Sequence, residues 1–544
     1  MPVSAHSKEI AKGTFWSLAG NMAVKLLAFF YLLVLARMAP QQEVGTFYLA
    51  LSILGVFSIF TDFGLSSSFA RYVPYLIGRN EGGKLQMLLR FTYTAVSALS
   101  IALAFVIFFA ADLIAGYFKS PQLADVLRMT SPYLFVNALF SLNTCYLQGR
   151  KMLMEQSMLL TFQNLAKLAI TLALFFIMGA TLFSITAGFQ LAFLVAAIVS
   201  TYYLLKELKG LPQPEGRQDY AELVREVIPF GLTVSLISSF WLLITYTDRI
   251  LIGYLLDPTV AASKIAIYTV ATSLAMLIMI FPTAIGSIFF PLVSELLGQG
   301  KEKEMREACE TALRWTIFIT FPLALVMVSF PDGLLRMFYG DSYAGGGLVL
   351  AIFTIGLLIR SLSTIQSLVL ASMRMLRIEL NIAIAAALLN VALNWLLIPI
   401  YDVNGAAFAS AISFTVVTVL FVYYSRKLVG FGFPLESLKA LVAGVVAFGL
   451  IYLARPYLSG SFGLPGLLGV TDSGGMPAKA LQLMVFGGLF IVACLAYVAV
   501  LFLLKSFHHE DSAMLSMVLR RARVPEKVAE PLTALLLYGT GKPE

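Results

Sequence analysis

Fourteen times in 544 residues the chain runs for twenty or more positions with almost no charge. About 20 residues, at 1.5 Å each, is what an α-helix needs to cross the hydrocarbon core of a bilayer. No water reaches the backbone there, so each run must close its own hydrogen bonds, which a helix does. The runs lie near 13–36, 44–65, 88–110, 127–148, 157–179, 183–205, 229–256, 264–290, 309–330, 346–371, 378–398, 404–425, 436–456 and 480–505. Composition agrees: 59% of residues are hydrophobic, 12% are charged, and the mean hydropathy is +0.86. A soluble domain carries about twice that share of charge. The expected fold class is therefore an all-α polytopic membrane protein with about 14 transmembrane helices. The first run, Gly13 to Ala36, is too long for a signal-peptide core and no small-residue cleavage site follows it, so it reads as a retained helix.

Charge outside the runs predicts orientation. With a cytoplasmic N-terminus, 27 Lys and Arg fall on inner segments and 6 on outer ones, a strong positive-inside bias. Both termini are then cytoplasmic, and the net charge of +8 is a matter of topology that calls for no nucleic acid. Cys145, Cys309 and Cys494 stand far apart, and His6, His508 and His509 lie near the ends, so neither a metal site nor a cofactor is expected.

The runs also repeat. Val44-Gly45-Thr46-Phe47-Tyr48 near the start of run 2 returns as Ile265-Ala266-Ile267-Tyr268 in run 8, and Arg150-Lys151-Met152-Leu153 returns as Met373-Arg374-Met375-Leu376. Six helices per copy is an even number, so both copies insert the same way up. The expected organisation is a six-helix bundle over 1–205, a cytoplasmic linker over 206–228, and a second six-helix bundle over 229–430. An appended pair of helices over 431–505 and a basic cytoplasmic tail over 506–544 follow. In the tail, 513–523 reads equally as a short surface helix or as an unordered basic stretch.

Charges inside the runs are the sharpest functional signal. Lys25, Lys167 and Arg360 fall near the middles of runs 1, 5 and 10, and Arg249 falls in the outer third of run 7. The acids beside them are Asp62 and Asp248. An intramembrane charge costs at least about 2.5–3.5 kcal/mol unless it faces protein or water. Polar residues recur at helical spacing with these charges: Thr14, Ser17, Asn21 and Lys25; Asn137, Ser141, Thr144 and Gln148; Gln163, Lys167 and Thr171; Arg360, Thr364 and Ser367; Asn390 and Asn394. Interhelical hydrogen bonding accounts for the neutral sets. The excess of cations points to a water-filled, anion-attracting cavity. Asp248 is expected to pair with Lys25, leaving Arg249 for an anion, and Asp62 to pair with Arg71.

Several segments carry a resemblance to a known family. They are Lys12-Gly13-Thr14, Leu35-Ala36-Arg37, Glu43-Val44-Gly45-Thr46-Phe47, Asp62-Phe63-Gly64-Leu65, Arg71-Tyr72-Val73-Pro74, Tyr246-Thr247-Asp248-Arg249 and the stretch from Gly286 to Pro291. Over about residues 8–430 the chain resembles the polysaccharide flippases of the MATE-like (multidrug, oligosaccharidyl-lipid, polysaccharide exporter) superfamily. The resemblance implies two bundles facing a central cavity, alternating access, and a polyprenyl-(di)phosphate-linked oligosaccharide moved from the cytoplasmic to the outer leaflet. It implies Lys25, Arg249, Asn21, Asp248, Lys167 and Arg360 as cavity residues and Asp62, Arg37 and Arg71 as structural or gating residues. The implied partners are the lipid-linked glycan, membrane lipids and polysaccharide-assembly enzymes, around a monomer in the cell membrane. A lipid-linked peptidoglycan-precursor flippase and a cation-coupled multidrug antiporter of the same fold are the alternatives. A membrane glycosyltransferase fits poorly: there is no DxD motif, and the outer loop over 457–479 holds Asp472 as its single acid.

Overall fold

The computed structural model describes residues 5–208, 220–373 and 375–431 and, beyond them, 439, 441–449, 453, 488, 491–492, 494–504 and 506. About half of the linker (209–219), about half of helices 13 and 14, the outer loop over 457–479 and nearly all of the basic tail lie outside the described residues. Among those described, every regular element is a helix and none is a strand. Ten helical stretches are long and apolar enough to cross a bilayer.

The first twelve expected helices are all present, and four of them are interrupted. Helix 1 is α1 (Ala5–Met38). Helix 2 is split into α2 (Gln41–Ser58) and α3 (Leu65–Gly78). Helix 3 is α4 (Gly82–Tyr117), and helix 4 is split into α5 (Pro121–Thr130) and α6 (Tyr133–Gly149). Helices 5, 6 and 7 are α7 (Leu153–Met178), α8 (Leu182–Leu208) and α9 (Tyr220–Leu255). Helix 8 is split into α10 (Pro258–Ala275) and α11 (Ile280–Gly298) by a 3-10 stretch at Met276–Met279. Helix 9 is α12 (Glu302–Ser329), followed by a short α13 (Pro331–Tyr339). Helix 10 is split into α14 (Gly347–Ser361) and α15 (Thr364–Ser372), and helices 11 and 12 are α16 (Leu376–Tyr401) and α17 (Val403–Val429). The interruptions fall in helices 2, 4, 8 and 10.

Local chemistry explains the two breaks in the first set. At the first, Phe63 and Gly64 both take positive φ, 44° and 77°. Gly64 is the residue that suits this, and its missing side chain also makes room: a Cβ there would lie 2.0 Å from the Gly231 carbonyl oxygen of α9. At the second, Pro132 has no N–H to continue α5. The segment Pro331-Asp332-Gly333, between the runs near 309–330 and 346–371, opens α13. Proline is accepted at the first turn of a helix, where its N–H would have no partner anyway.

Contacts divide the chain into two compact units, Met1–Leu274 with Met375–Ser413, and Ala275–Arg374 with Phe414–Glu544. In the first, α7 packs on α1 and α8, α9 on α16 and on α2, and α3 on α6. A tight apolar cluster including Phe69, Leu88, Leu142 and Tyr146 sits where α3, α4 and α6 meet. In the second, α12 packs on α11 and α14, and α11 packs on α15. Side chains such as Phe109 (76% exposed) and Phe176 (81% exposed) face outward on these helices, an arrangement that water would penalise and hydrocarbon does not.

Candidate functional site

Three helices of the first unit converge on Asp248, a carboxylate 3% exposed on α9. Its Oδ2 accepts hydrogen bonds from the Tyr268 hydroxyl of α10 and, at 2.7 Å, from Ser410 Oγ of α17. Its Oδ1 accepts from Asn394 Nδ2 of α16 at 2.7 Å. Asn390 extends the network by donating to Ser410 Oγ at 3.2 Å. The polar pair in run 11 thus serves as interhelical glue. Asp248 is held by three neutral donors, and Lys25 is not among its contacts, so the expected Lys25–Asp248 pair does not form. Neutral donors at hydrogen-bond distance replace the hydration of a buried carboxylate without cancelling its charge.

Arg249 is one residue, about 100°, further round α9 and faces a different environment. Its Nε donates to Thr269 Oγ1 of α10 at 3.0 Å, and its guanidinium lies 5.8 Å from the centroid of the Tyr48 ring on α2. Lys167 on α7 repeats the pattern: Nζ donates to Asn164 Oδ1 at 3.1 Å and lies 4.7 Å from the centroid of the Tyr31 ring on α1. In the second unit the Arg360 guanidinium donates to Ser363 Oγ at 2.7 Å and lies 5.6 Å from the Phe421 ring. All three cations are half-buried. Among the described residues no carboxylate pairs with Arg249 or Lys167. A neutral oxygen and a ring face orient such a cation and steady it by about 0.5–2 kcal/mol while leaving its charge in place. A negative group brought from outside could therefore pair with it directly.

The remaining expected residues are more scattered. On α1, Lys25 is half-buried and Asn21 exposed. Arg37 is half-buried at the end of α1, and Arg71 is exposed on α3 with its guanidinium 5.5 Å from the Tyr72 ring. Asp62 does not pair with Arg71. Its Oδ1 accepts the Gly64 N–H at 2.8 Å and so fastens the turn that interrupts helix 2, an interaction with its own neighbour that costs less ordering than reaching a distant side chain.

Three features escaped the sequence. Arg314, counted with the inner-segment charges, is only 4% exposed within α12. Asn143 lies off the polar stripe read in run 4, yet it is fully buried, accepts from Tyr93 at 2.7 Å and donates to Ser200 at 2.9 Å. Lys264, at the start of α10, forms an ion pair with Asp402 at the α16–α17 turn. Arg314 has apolar Leu313 and Trp315 beside it, but the charged stretch from Glu302 to Glu310 precedes it in α12, so its burial left little signal. The partners of Asn143 and Lys264 come from distant segments and left no local signal.

The architecture is that of a polytopic, MATE-like membrane protein. Matches to known proteins then give the family. The family model described as "Polysaccharide biosynthesis protein" matches residues 10–297, more than half of the chain, and the protein belongs to that family. The MatE model matches residues 232–396. The chain is 24% identical over 414 residues to a putative O-antigen transporter of Shigella flexneri, covering 74% of this chain and 94% of that one. It is 21% identical over 456 residues to a probable low-salt glycan biosynthesis flippase, Agl15, of Haloferax volcanii, covering 82% and 89%. Among solved structures, the lipid II flippase MurJ in an inward closed conformation matches with a TM-score of 0.67 at 16% identity, over 89% of this chain and 97% of that one. An inward-facing multidrug resistance MATE transporter matches with a TM-score of 0.62 at 12% identity, over 74% and 98%.

Proposed function

We propose that the protein carries a lipid-linked, phosphate-bearing oligosaccharide from the cytoplasmic to the outer leaflet of the cell membrane by alternating access. The observation that carries this reading is the pair of intramembrane cations Arg249 and Lys167, oriented by neutral groups and rings, with which no carboxylate among the described residues pairs. A phosphate cannot shed its water in hydrocarbon without a replacement, and guanidinium and ammonium groups supply one. Arg249 and Lys25 are the groups proposed to meet the phosphate, with Asn21 offering hydrogen bonds to sugar. Lys167 and Arg360 are supporting cations. Asp248 is proposed to hold α9, and with it Arg249, in register. Family membership and the glycan-transport descriptions of two relatives support the cargo class.

The protein works as a carrier and not as an enzyme in this reading. It acts as a monomer with both termini cytoplasmic, beside the enzymes that assemble the polysaccharide. With the inside negative, outward movement of the anion is favoured by about 2.3 kcal/mol per charge per 100 mV, a gain that cations moving with it diminish. A peptidoglycan-precursor flippase is the second reading. The same diphosphate chemistry and the fold shared with a lipid II flippase favour it.

Reconstituted liposomes with a fluorescent polyprenyl-diphosphate oligosaccharide test the proposal. Wild type should deliver the label to the opposite leaflet, and Arg249→Gln should slow delivery about tenfold or more, the loss of one charge-assisted contact worth roughly 1.5–3 kcal/mol. Transport of a lipid II analogue alone would shift the assignment to the second reading. Well-folded wild type that moves neither lipid, under an imposed potential or ion gradient, would refute both.

A further inference from the structure

Two apolar cavities lie on one flank of the first unit. One, of about 290 Å³, is lined by the helix 2 interruption around Thr61 and Phe63, by Phe91 and Leu99 of α4, and by Leu232 of α9. The other, of about 350 Å³, is lined by Ile53, Val56 and Phe57 of α2, by the end of α4, and by Ile250 and Tyr254 of α9. They share the same walls. Leu232 and Ile250 are 18 residues apart on α9, and Leu99 and Tyr117 are 18 apart on α4. Eighteen residues is five full helical turns, so each pair lies on one line along its helix. The two cavities flank the interruption of helix 2, with Phe57 in the lining of one and Thr61 in the lining of the other. The line along α9 that the two cavities share, here called the seam, rises about 27 Å from Leu232 to Ile250, close to the roughly 30 Å thickness of the hydrocarbon core.

The lining of the seam is rich in aromatic rings. Phe57, Phe63, Phe91, Tyr117, Phe118 and Tyr254 all face it. Between the cavities the α4 wall stays apolar and open, with Val106 at 52% and Leu113 at 66% exposure. At one end the rings of Phe118 and Tyr254 meet edge to face, and Tyr254 lies against Trp395, the kind of aromatic group that sits at a membrane interface. Asp62 borders the seam but commits an oxygen to the Gly64 N–H.

The seam also adjoins the candidate anion site. Around α9, Arg249 comes first, then the line of contact with α2, then the seam. Along that contact Gly55 admits the Tyr246 ring so closely that a Cβ would lie 2.3 Å from it, and Gly253 packs against Leu49. Arg249 and Ile250, successive residues, thus stand on opposite sides of one glycine-packed line.

We infer that the seam between α4 and α9 holds the isoprenoid chain of the cargo while its phosphate end is on the Arg249 side of the α2–α9 contact. This rests on the lipid-linked cargo proposed above. Hydrophobicity alone cannot select the occupant, because surrounding lipid tails are as apolar as the protein wall. Shape can. An isoprenoid chain has flat trisubstituted double bonds and regular methyl branches, which fit fixed ring faces and shallow side cavities. A straight acyl chain has neither. A seam reaching through most of the core also lets a long tail keep its contacts while the head group changes leaflet.

The test is photolabelling of the purified full-length protein with a long-chain polyprenyl diphosphate bearing a diazirine in its tail, with labelled peptides mapped by mass spectrometry. A diazirine phosphatidylcholine is the comparison probe. Labels from the polyprenyl probe should concentrate on α4 and α9 residues of the seam. Ala95→Phe and Val56→Phe, which fill one cavity each and leave Arg249 alone, should cut that labelling about tenfold. Binding of a short-chain diphosphate should stay unchanged, which shows that the variants are folded. Polyprenyl diphosphate that binds yet labels elsewhere, or phosphatidylcholine that labels the seam equally well, overturns the inference and leaves the proposed function standing. Absence of any diphosphate binding by folded wild type overturns both.

Discussion

At the scale of single residues, the signal that survived from sequence to structure is charge in the wrong place. Lys167, Arg249 and Arg360 could be picked out because a cation amid an apolar run needs a reason. Their surroundings could not, because the partners come from other helices: Asn394 and Ser410 are 146 and 162 positions from Asp248. The expected Lys25–Asp248 pair failed for the same cause, since opposite charge is a weak guide when neutral donors on three helices already fill a carboxylate's shell. Asp248→Ala should lower stability by about 1–3 kcal/mol, because Tyr268, Asn394 and Ser410 would lose a buried acceptor. Thermal unfolding in detergent measures this, and an unchanged midpoint would contradict the network. At Arg249, a lysine keeps the charge but not the planar contact with Tyr48, so Arg249→Lys should retain more transport than Arg249→Gln without restoring wild-type rates.

At the scale of elements, apolar length located each of the first twelve helices, because the bilayer sets that length, but it missed where they end: run 2 stops at 65, whereas α3 continues to Gly78. It was blind to the interruptions. Met276–Met279 is as apolar as its neighbours, and hydropathy does not register a change from α to 3-10 bonding. Pro132 was a visible breaker whose effect was missed inside run 4, and Gly64, next to the last residue of run 2, marks where α3 begins. Gly64→Ala should cost about 1–3 kcal/mol, combining positive-φ strain with a clash against the α9 backbone. The ion pair from Lys264 to Asp402 is a weaker tie. Both side chains are about a third exposed, so Lys264→Met should change stability by about 1 kcal/mol or less, and less still at high salt.

For the whole molecule, the asymmetry of Lys and Arg predicts an orientation, because insertion reads it, whereas the two compact units left no sign in the sequence, since they unite segments far apart in the chain. Cysteines introduced at Lys84 and Lys303 should react with an impermeant maleimide from the cytoplasmic side only, and one at Lys119 from the outside only; reversed labelling would invert the topology. One dimension carries a consequence for the membrane itself. The helices that wall the seam, α4 and α9, are 36 residues each, about 54 Å, far longer than a bilayer core is thick. Walls that overreach the hydrocarbon on this scale keep the seam lined from end to end when the host bilayer thins or swells by a few ångströms. Adaptation to membranes of different thickness is thereby built into helix length, and transport in liposomes of shorter and longer acyl chains should vary little.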